Sequence, residues 1–292
     1  MNRNAYDLEP EFSTRETARY ALLPIPYERT TTYVKGTARG PEAILEASRQ
    51  VELFDEVTAT EPFRAGIWTA GPVEVDTSEP EEAALDRIEC AARSLISEGK
   101  LVVGLGGEHT VSVPLIRAHA SVYSGLHVLH LDAHADLRDS YGGSRYNHAC
   151  AMARVWEICP VVSVGVRSLS AEEYGRIQGE KLPVFLAHEY VTDQERHARV
   201  LHRLGDPVYI TIDLDVFDPS VAPAVGTPEP GGLGWYDVLS LLQCVVSNRR
   251  VVGVDVVELC PRPGDVTTDF LAAKLIYRIL GLLEANRRGS PT

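Results

Sequence analysis

From Leu101 onward, short apolar runs alternate with longer amphipathic stretches. That rhythm predicts a parallel sheet whose strands are joined by helical crossovers. The apolar runs predict strands over 101–105, 126–131, 161–166, 207–212 and 251–257, with an earlier one over 18–23. Between them, helical periodicity predicts helices over 79–98, 111–120, 149–158, 193–204, 236–247 and 268–286. A run such as VVGVDVV, apolar at nearly every position, calls for a strand covered on both faces. Right-handed crossovers then give an α/β fold, a three-layer α/β/α sandwich with a mostly parallel central sheet. No linker, repeat or low-complexity segment interrupts the rhythm, so residues 1–292 are assigned to one domain. Segment 36–75 is the least patterned part, and 219–234 forms a long loop rich in Pro and Gly.

Composition narrows the partners. The 292 residues are 45% hydrophobic, enough for a substantial core. A net charge of −13 excludes nucleic acid as the main partner, because neutralising phosphates needs a surplus of Lys and Arg. A small cationic substrate would instead feel a favourable field. The five cysteines contain no C-x-x-C pair and read as free thiols in a reducing compartment. With neither a signal-like N-terminus nor an apolar run of membrane-spanning length, the expected location is cytoplasmic, with no membrane partner.

Chemistry enters where the apolar runs stop. LVVGLGGEH ends at His109, and LHVLHLDAHAD supplies Asp132, His134 and Asp136. VYITIDLDVFD supplies Asp213, Asp215 and Asp218, and VVGVDVVE ends at Glu258. The C-terminal ends of parallel strands share one edge, where open α/β proteins bind ligands, so these distant residues converge on one crevice. Extended chain points residues two apart to the same side, which groups Asp132, His134 and Asp136, and likewise Asp213 with Asp215. Carboxylates packed that closely force protons onto some of their number unless a cation intervenes. Four carboxylates and two imidazoles without a thiolate suit borderline-hard divalent ions, manganese ahead of zinc. Two dications balance four carboxylates, and a shared hydroxide would leave a charge of about −1 for a cationic substrate to meet. Taken alone, Asp218 before Pro219 fits a helix N-cap as well as a ligand, and a lone His109 fits a half-buried structural histidine. It is the D-x-H-x-D and D-x-D spacings together that favour a metal centre.

GGEH at 106–109, DAHAD at 132–136 and TIDLDVFDPSVAPAVGTPEPGGL at 211–233 resemble the signature blocks of the arginase/agmatinase ureohydrolases. The resemblance runs from Gly104 to Glu258 and implies an arginase-like sandwich, two Mn2+ per chain, and hydrolysis of a guanidino group to urea and an amine. It implies that one ion takes His109, Asp132, Asp136 and Asp213. The other takes His134 with Asp132, Asp213 and Asp215, so that Asp132 and Asp213 bridge. It also implies a proton-shuttling or substrate-steadying role for His148 and a guanidinium-holding role for Glu258, a planar cation being best oriented by a bidentate acceptor. Asp136 would pass a proton to the departing amine. For His148, just before a helix, capping is the plain alternative. Relatives of this kind imply a homo-oligomer, trimer or hexamer.

The GTPEPGGL and YNHA segments resemble agmatinases more than arginases, which makes agmatine the first expected substrate, with putrescine and urea as products. Asn147 in place of a Ser and Ala153 in place of an Arg depart from that pattern. Arg138 could draw a substrate carboxylate, which would favour 4-guanidinobutanoate; its plain alternative is a salt bridge to an acid such as Asp139. Aminopropylagmatine and arginine are further alternatives. The rival classes are a metal-dependent amine deacetylase, an inactive metal-binding relative, and a cysteine-nucleophile amidinohydrolase using Cys150 or Cys260, which lack the basic setting that makes a thiolate.

Overall fold

The computed structural model describes residues 4–76 and 78–289. The long apolar runs are buried along nearly their whole length, and each adds a strand to one sheet. In its first half the chain forms β1 (Tyr20–Ile25), α1 (Gly40–Ser48), β2 (Ile67–Thr69), α2 (Glu81–Ser97), β3 (Leu101–Gly106), α3 (Ser112–Ala120) and β4 (His127–Leu131). Next come α4 (Ala151–Trp156), β5 (Val161–Val166), α5 (Ala171–Glu180), β6 (Val184–Leu186), α6 (Ala187–Tyr190) and α7 (Arg196–Arg203). The last elements are β7 (Val208–Asp213), α8 (Trp235–Asn248), β8 (Val251–Val257) and α9 (Thr267–Gly289). The strands lie in the order β2-β1-β3-β8-β7-β4-β5-β6, and every pairing is parallel.

Because strand side chains alternate between faces, each strand feeds two cores. Val208, Ile210 and Ile212 of β7 join Val254 and Val256 of β8 and the inward residues of α1, α8 and α9. Tyr209 and Val252 face the other way, into a second core with α2, α3 and α4. The result is the expected three-layer sandwich. Among the described residues, no helix is long and apolar enough to cross a membrane.

The chain jumps from β3 to β4 across the gap that β7 and β8 later fill. This places the C-terminal ends of β3, β8, β7 and β4 side by side, which is where an open parallel sheet binds its ligands. The end of β3 is also clamped to the chain leaving β1. Gly107 N–H donates to Ile25 and Glu108 N–H to Tyr27. A Cβ on Gly107 would fall 2.1 Å from the Tyr27 carbonyl oxygen, so only glycine permits this approach.

The expected strands are present with ends shifted by at most two residues, β5 and β8 without any shift. Five further elements, α1, β2, α5, β6 and α6, form where the apolar pattern marks none. β2 and β6 are three-residue edge strands, too short for alternation to register. In α5 only Glu173 and Ile177 are buried, so its apolar stripe is nearly absent.

Leu129 is fully buried in the centre of β4, within the first core. Leu129→Ala should lower unfolding free energy by about 2–5 kcal/mol, read from the denaturant midpoint. A loss below about 1 kcal/mol would contradict the packing described.

Candidate metal centre

Backbone N–H groups orient the carboxylates at the strand ends. Asp213 Oδ1 accepts from the Asp215 N–H at 2.9 Å, and Asp215 Oδ1 accepts from the Ala133 N–H at 2.9 Å. Asp132 Oδ1 accepts from the N–H of His134. One oxygen of each is thus fixed, and the other turns to a common space. Asp132, Asp136 and Asp213 place their Oδ2 atoms 3.0, 3.2 and 3.5 Å from His109 Nδ1. His134 Nδ1 lies 2.9 Å from Asp215 Oδ2 and 3.4 Å from Asp132 Oδ1. The six residues expected as ligands are therefore together, and Asp132 belongs to both compact groups of donor atoms.

The protonation state of His109 is set by its neighbours. Thr211 Oγ1 donates its only proton to Asp255 at 2.6 Å and lies 3.0 Å from His109 Nε2. Thr211 therefore accepts from Nε2–H, which leaves Nδ1 as the ring nitrogen turned to the three carboxylates. That Nδ1 is buried without a hydrogen-bond partner. Burial opposes charge on His109, but Asp132, Asp136 and Asp213 outweigh it and hold its pKa well above the ordinary value. The position demands a positive charge, which a proton on Nδ1 or a bound metal ion would supply.

The carboxylates carry the same message. Burial, then the charges of Asp215 and Asp132, pushes Asp213 well above the usual carboxylate range. Burial and Asp132 raise Asp215 as well. Asp132 goes the other way: burial opposes ionisation, yet His109, His130 and His134 hold its pKa well down. So many buried acids cannot all ionise without added cations, and hard O/N donors of this kind fit divalent manganese. Asp136 and Glu258 adopt left-handed backbone, with φ of 52° and 65°. Strain of this kind in non-glycine residues clusters at functional sites.

Glu258, His148 and Arg138 line one cavity of about 160 Å³ with His109, His134 and Asp136. Glu258 Oε1 accepts from the His109 N–H at 2.7 Å, so it is partly engaged by the chain itself. Its Oε2 faces Gly226, where a Cβ would approach to 3.6 Å. Burial, then the charge of Glu108, lifts the Glu258 pKa well above normal, and a bound guanidinium would relieve this. The capping role open to His148 is filled by Asn147, whose side chain accepts from the Ala149 N–H at 3.0 Å. Asn caps as well as Ser, so that departure leaves the turn intact. Arg138 pairs with Glu173 at 3.8 Å and lies over the Tyr141 ring at 5.0 Å. Asp139 pairs with Arg145 and Arg154 instead.

Asp218 is neither helix cap nor member of the cluster. Its carboxylate ties Ser220, Gly231 and Gly232 together and so closes the loop after β7. These bonds, those of Ser220 foremost, pull its pKa down to about 2. Cys150 is pushed up to about 11 by burial and then by Asp136, and Cys260 is raised by burial and Glu28, so neither supplies a thiolate near neutrality. The strand-end pattern misses His130, which is fully buried with Nε2 2.9 Å from Asp132 Oδ2 and Nδ1 3.0 Å from Ser163. Its signal is present in the sequence: His130 precedes Asp132 by two and continues the same alternation. Thr211 stands in the same relation to Asp213, whereas Asp255 lies inside β8, three residues before Glu258 and off that alternation.

A parallel sheet whose central strands end in carboxylates and imidazoles around one cavity marks an α/β protein with a candidate site for divalent metal. The chain belongs to the arginase family, which it matches over residues 18–281. It is therefore a ureohydrolase acting on guanidino compounds. It is 38% identical over 278 residues to the N(1)-aminopropylagmatine ureohydrolase of Synechocystis sp., covering 93% of this chain and 91% of that one. It is 33% identical over 281 residues to the agmatinase of Pyrococcus horikoshii, covering 95% and 96%. The agmatine ureohydrolase structure of Thermoplasma volcanium superposes with a TM-score of 0.88 at 30% identity, covering 97% and 96%.

Ionising Asp213 and Asp215 against their raised pKa values must accompany metal uptake, so manganese binding should release protons and weaken as pH falls. Calorimetric titration in buffers of different ionisation enthalpy checks this, and affinity that does not vary with pH would contradict it. His130→Ala should weaken manganese binding roughly 10–100-fold. His130→Gln, whose amide N–H reaches the same way, should restore part of it.

Proposed function

We propose that this protein is a manganese-dependent hydrolase of a guanidinoalkylamine, releasing urea and the corresponding amine, and that residues 1–292 form a single ureohydrolase domain. The reading rests chiefly on one observation: the unpartnered His109 Nδ1 facing three carboxylates, beside a buried Glu258. His109, Asp132, Asp136 and Asp213 would hold one ion; His134, with Asp132, Asp213 and Asp215, would hold the other. When bound, the ions supply a nucleophile at neutral pH by acidifying water.

The remaining work falls to the protein's own side chains. Glu258 accepts from the guanidinium N–H groups through Oε2 and fixes the plane of the cation. Asp136 accepts the proton released on attack and passes it to the departing amine. His148 carries protons between the cavity and solvent.

For the substrate, we place N(1)-aminopropylagmatine first and agmatine second. The relative bearing the first name has the higher identity of the two, 38% against 33%. Tyr33 and Tyr141, 75% and 39% exposed at the cavity rim, offer apolar surface along which a longer tail would pack. The agmatine expected from the GTPEPGGL and YNHA segments keeps support from the P. horikoshii relative. Arg138, engaged by Glu173 and the Tyr141 ring, would pack along the tail. Its contacts with Glu173 and Tyr141 favour that packing over the capture of a carboxylate such as that of 4-guanidinobutanoate.

Urea release from aminopropylagmatine, agmatine, 4-guanidinobutanoate and arginine, with manganese added, tests the assignment. The highest kcat/KM should fall on aminopropylagmatine and the lowest on the two carboxylates. No urea from any of them would overturn the reading. His134→Ala should lose bound manganese and activity together, whereas His148→Ala should keep its manganese and lose roughly 10²–10⁴-fold in rate.

A further inference from the structure

Glu108 is completely buried, yet it is fully supplied with donors. Its Oε2 accepts from the backbone N–H groups of Arg29 and Thr30, both at 2.6 Å. Its Oε1 accepts from the hydroxyls of Thr30 at 2.7 Å and Thr110 at 2.6 Å. Every partner is a donor, so Glu108 acts here only as an acceptor, and the single hydroxyl proton of Thr30 is committed to it.

The same Thr30 oxygen lies 3.0 Å from the His148 backbone nitrogen and 3.0 Å from His148 Nδ1. Having given its proton to Glu108, it can only accept from both. A lone pair on Nδ1 would point at lone pairs on the oxygen.

From this geometry we infer that Thr30 and Glu108 are positioning residues that hold His148 in one tautomer, with the proton on Nδ1 and the Nε2 lone pair turned to the cavity. The inference rests on the reading of His148 as a proton carrier. It says which nitrogen does the carrying: Nε2 takes the proton, while Nδ1–H stays bonded to Thr30 throughout. It also gives a role to the segment between β1 and α1, which reaches the site only in the folded chain.

That segment has a second anchor. Glu28 accepts from the N–H groups of Gly36 at 2.8 Å and Ala38 at 3.1 Å, and from the Thr31 hydroxyl at 3.0 Å. Thr30 can therefore be altered with the loop still tied down.

The test uses the manganese-loaded protein. Thr30→Val should lower kcat roughly tenfold or more, with KM within about twofold and metal content unchanged. Thr30→Ser, which keeps the hydroxyl, should restore the rate. In a His148→Ala background, Thr30→Val should cost nothing more, because the residue acts only through the imidazole. With diamagnetic magnesium in place of manganese, ¹⁵N spectra of the histidine rings should place the His148 proton on Nδ1 in the native protein and divide it between the two nitrogens in Thr30→Val.

A silent Thr30→Val beside a slow His148→Ala would overturn the inference. So would a Thr30→Val effect equal in both backgrounds, which marks a loop role. A His148→Ala enzyme running at the native rate would instead sink the proton-carrier reading and this inference's catalytic claim with it, and the ring spectra would then decide the tautomer alone.

Discussion

Like charges buried side by side are the constraint around which this structure is organised. Asp132, Asp136, Asp213 and Asp215 converge from the ends of two neighbouring strands, with His109 and Glu258 added from the next two. Nothing in an apolar sandwich rewards such a gathering, because each ionised group loses hydration and repels the rest. The sheet can hold it because backbone N–H groups grip one oxygen of Asp132, Asp213 and Asp215, and because the two cores beneath the site supply rigidity. Charge alone remains unbalanced, and divalent cations would balance it.

One device recurs around the site: a threonine that gives its proton to a buried carboxylate can only accept from the imidazole beside it. Thr211 and Asp255 stand in this relation to His109, as Thr30 and Glu108 do to His148. In the first pair the outcome is an Nδ1 aimed at the carboxylate cluster. In the second, on our inference, it is a lone pair aimed at the substrate space. Neutral hydroxyls thereby set the direction of two imidazoles without adding charge to a cavity that already holds too much of one sign.

The central strands and the cluster at their ends were legible in the sequence for one physical reason. Buried parallel strands are continuous apolar runs, and the residues next in the chain after each run must stand at the sheet edge. VVGVDVV before Glu258 and VYITID before Asp215 show this most clearly. The rest escaped for reasons rooted in the structure. β6 is a half-buried edge strand and α5 carries two glycines, although the capping box of Ser170 and Glu173 does announce where α5 begins. His130 could have been found by extending the alternation one step back. Thr30 and Glu108 could not, because their meeting with His148 depends on Gly107 letting two backbones come together.

Anomalous diffraction from crystals grown with manganese tests the central claim most directly. The account predicts two manganese peaks per chain, roughly 3.5–4 Å apart, with Asp132 and Asp213 between them and His109 and His134 on opposite sides. Manganese bound elsewhere, or the carboxylates neutralised by protons with no metal among them, would contradict it.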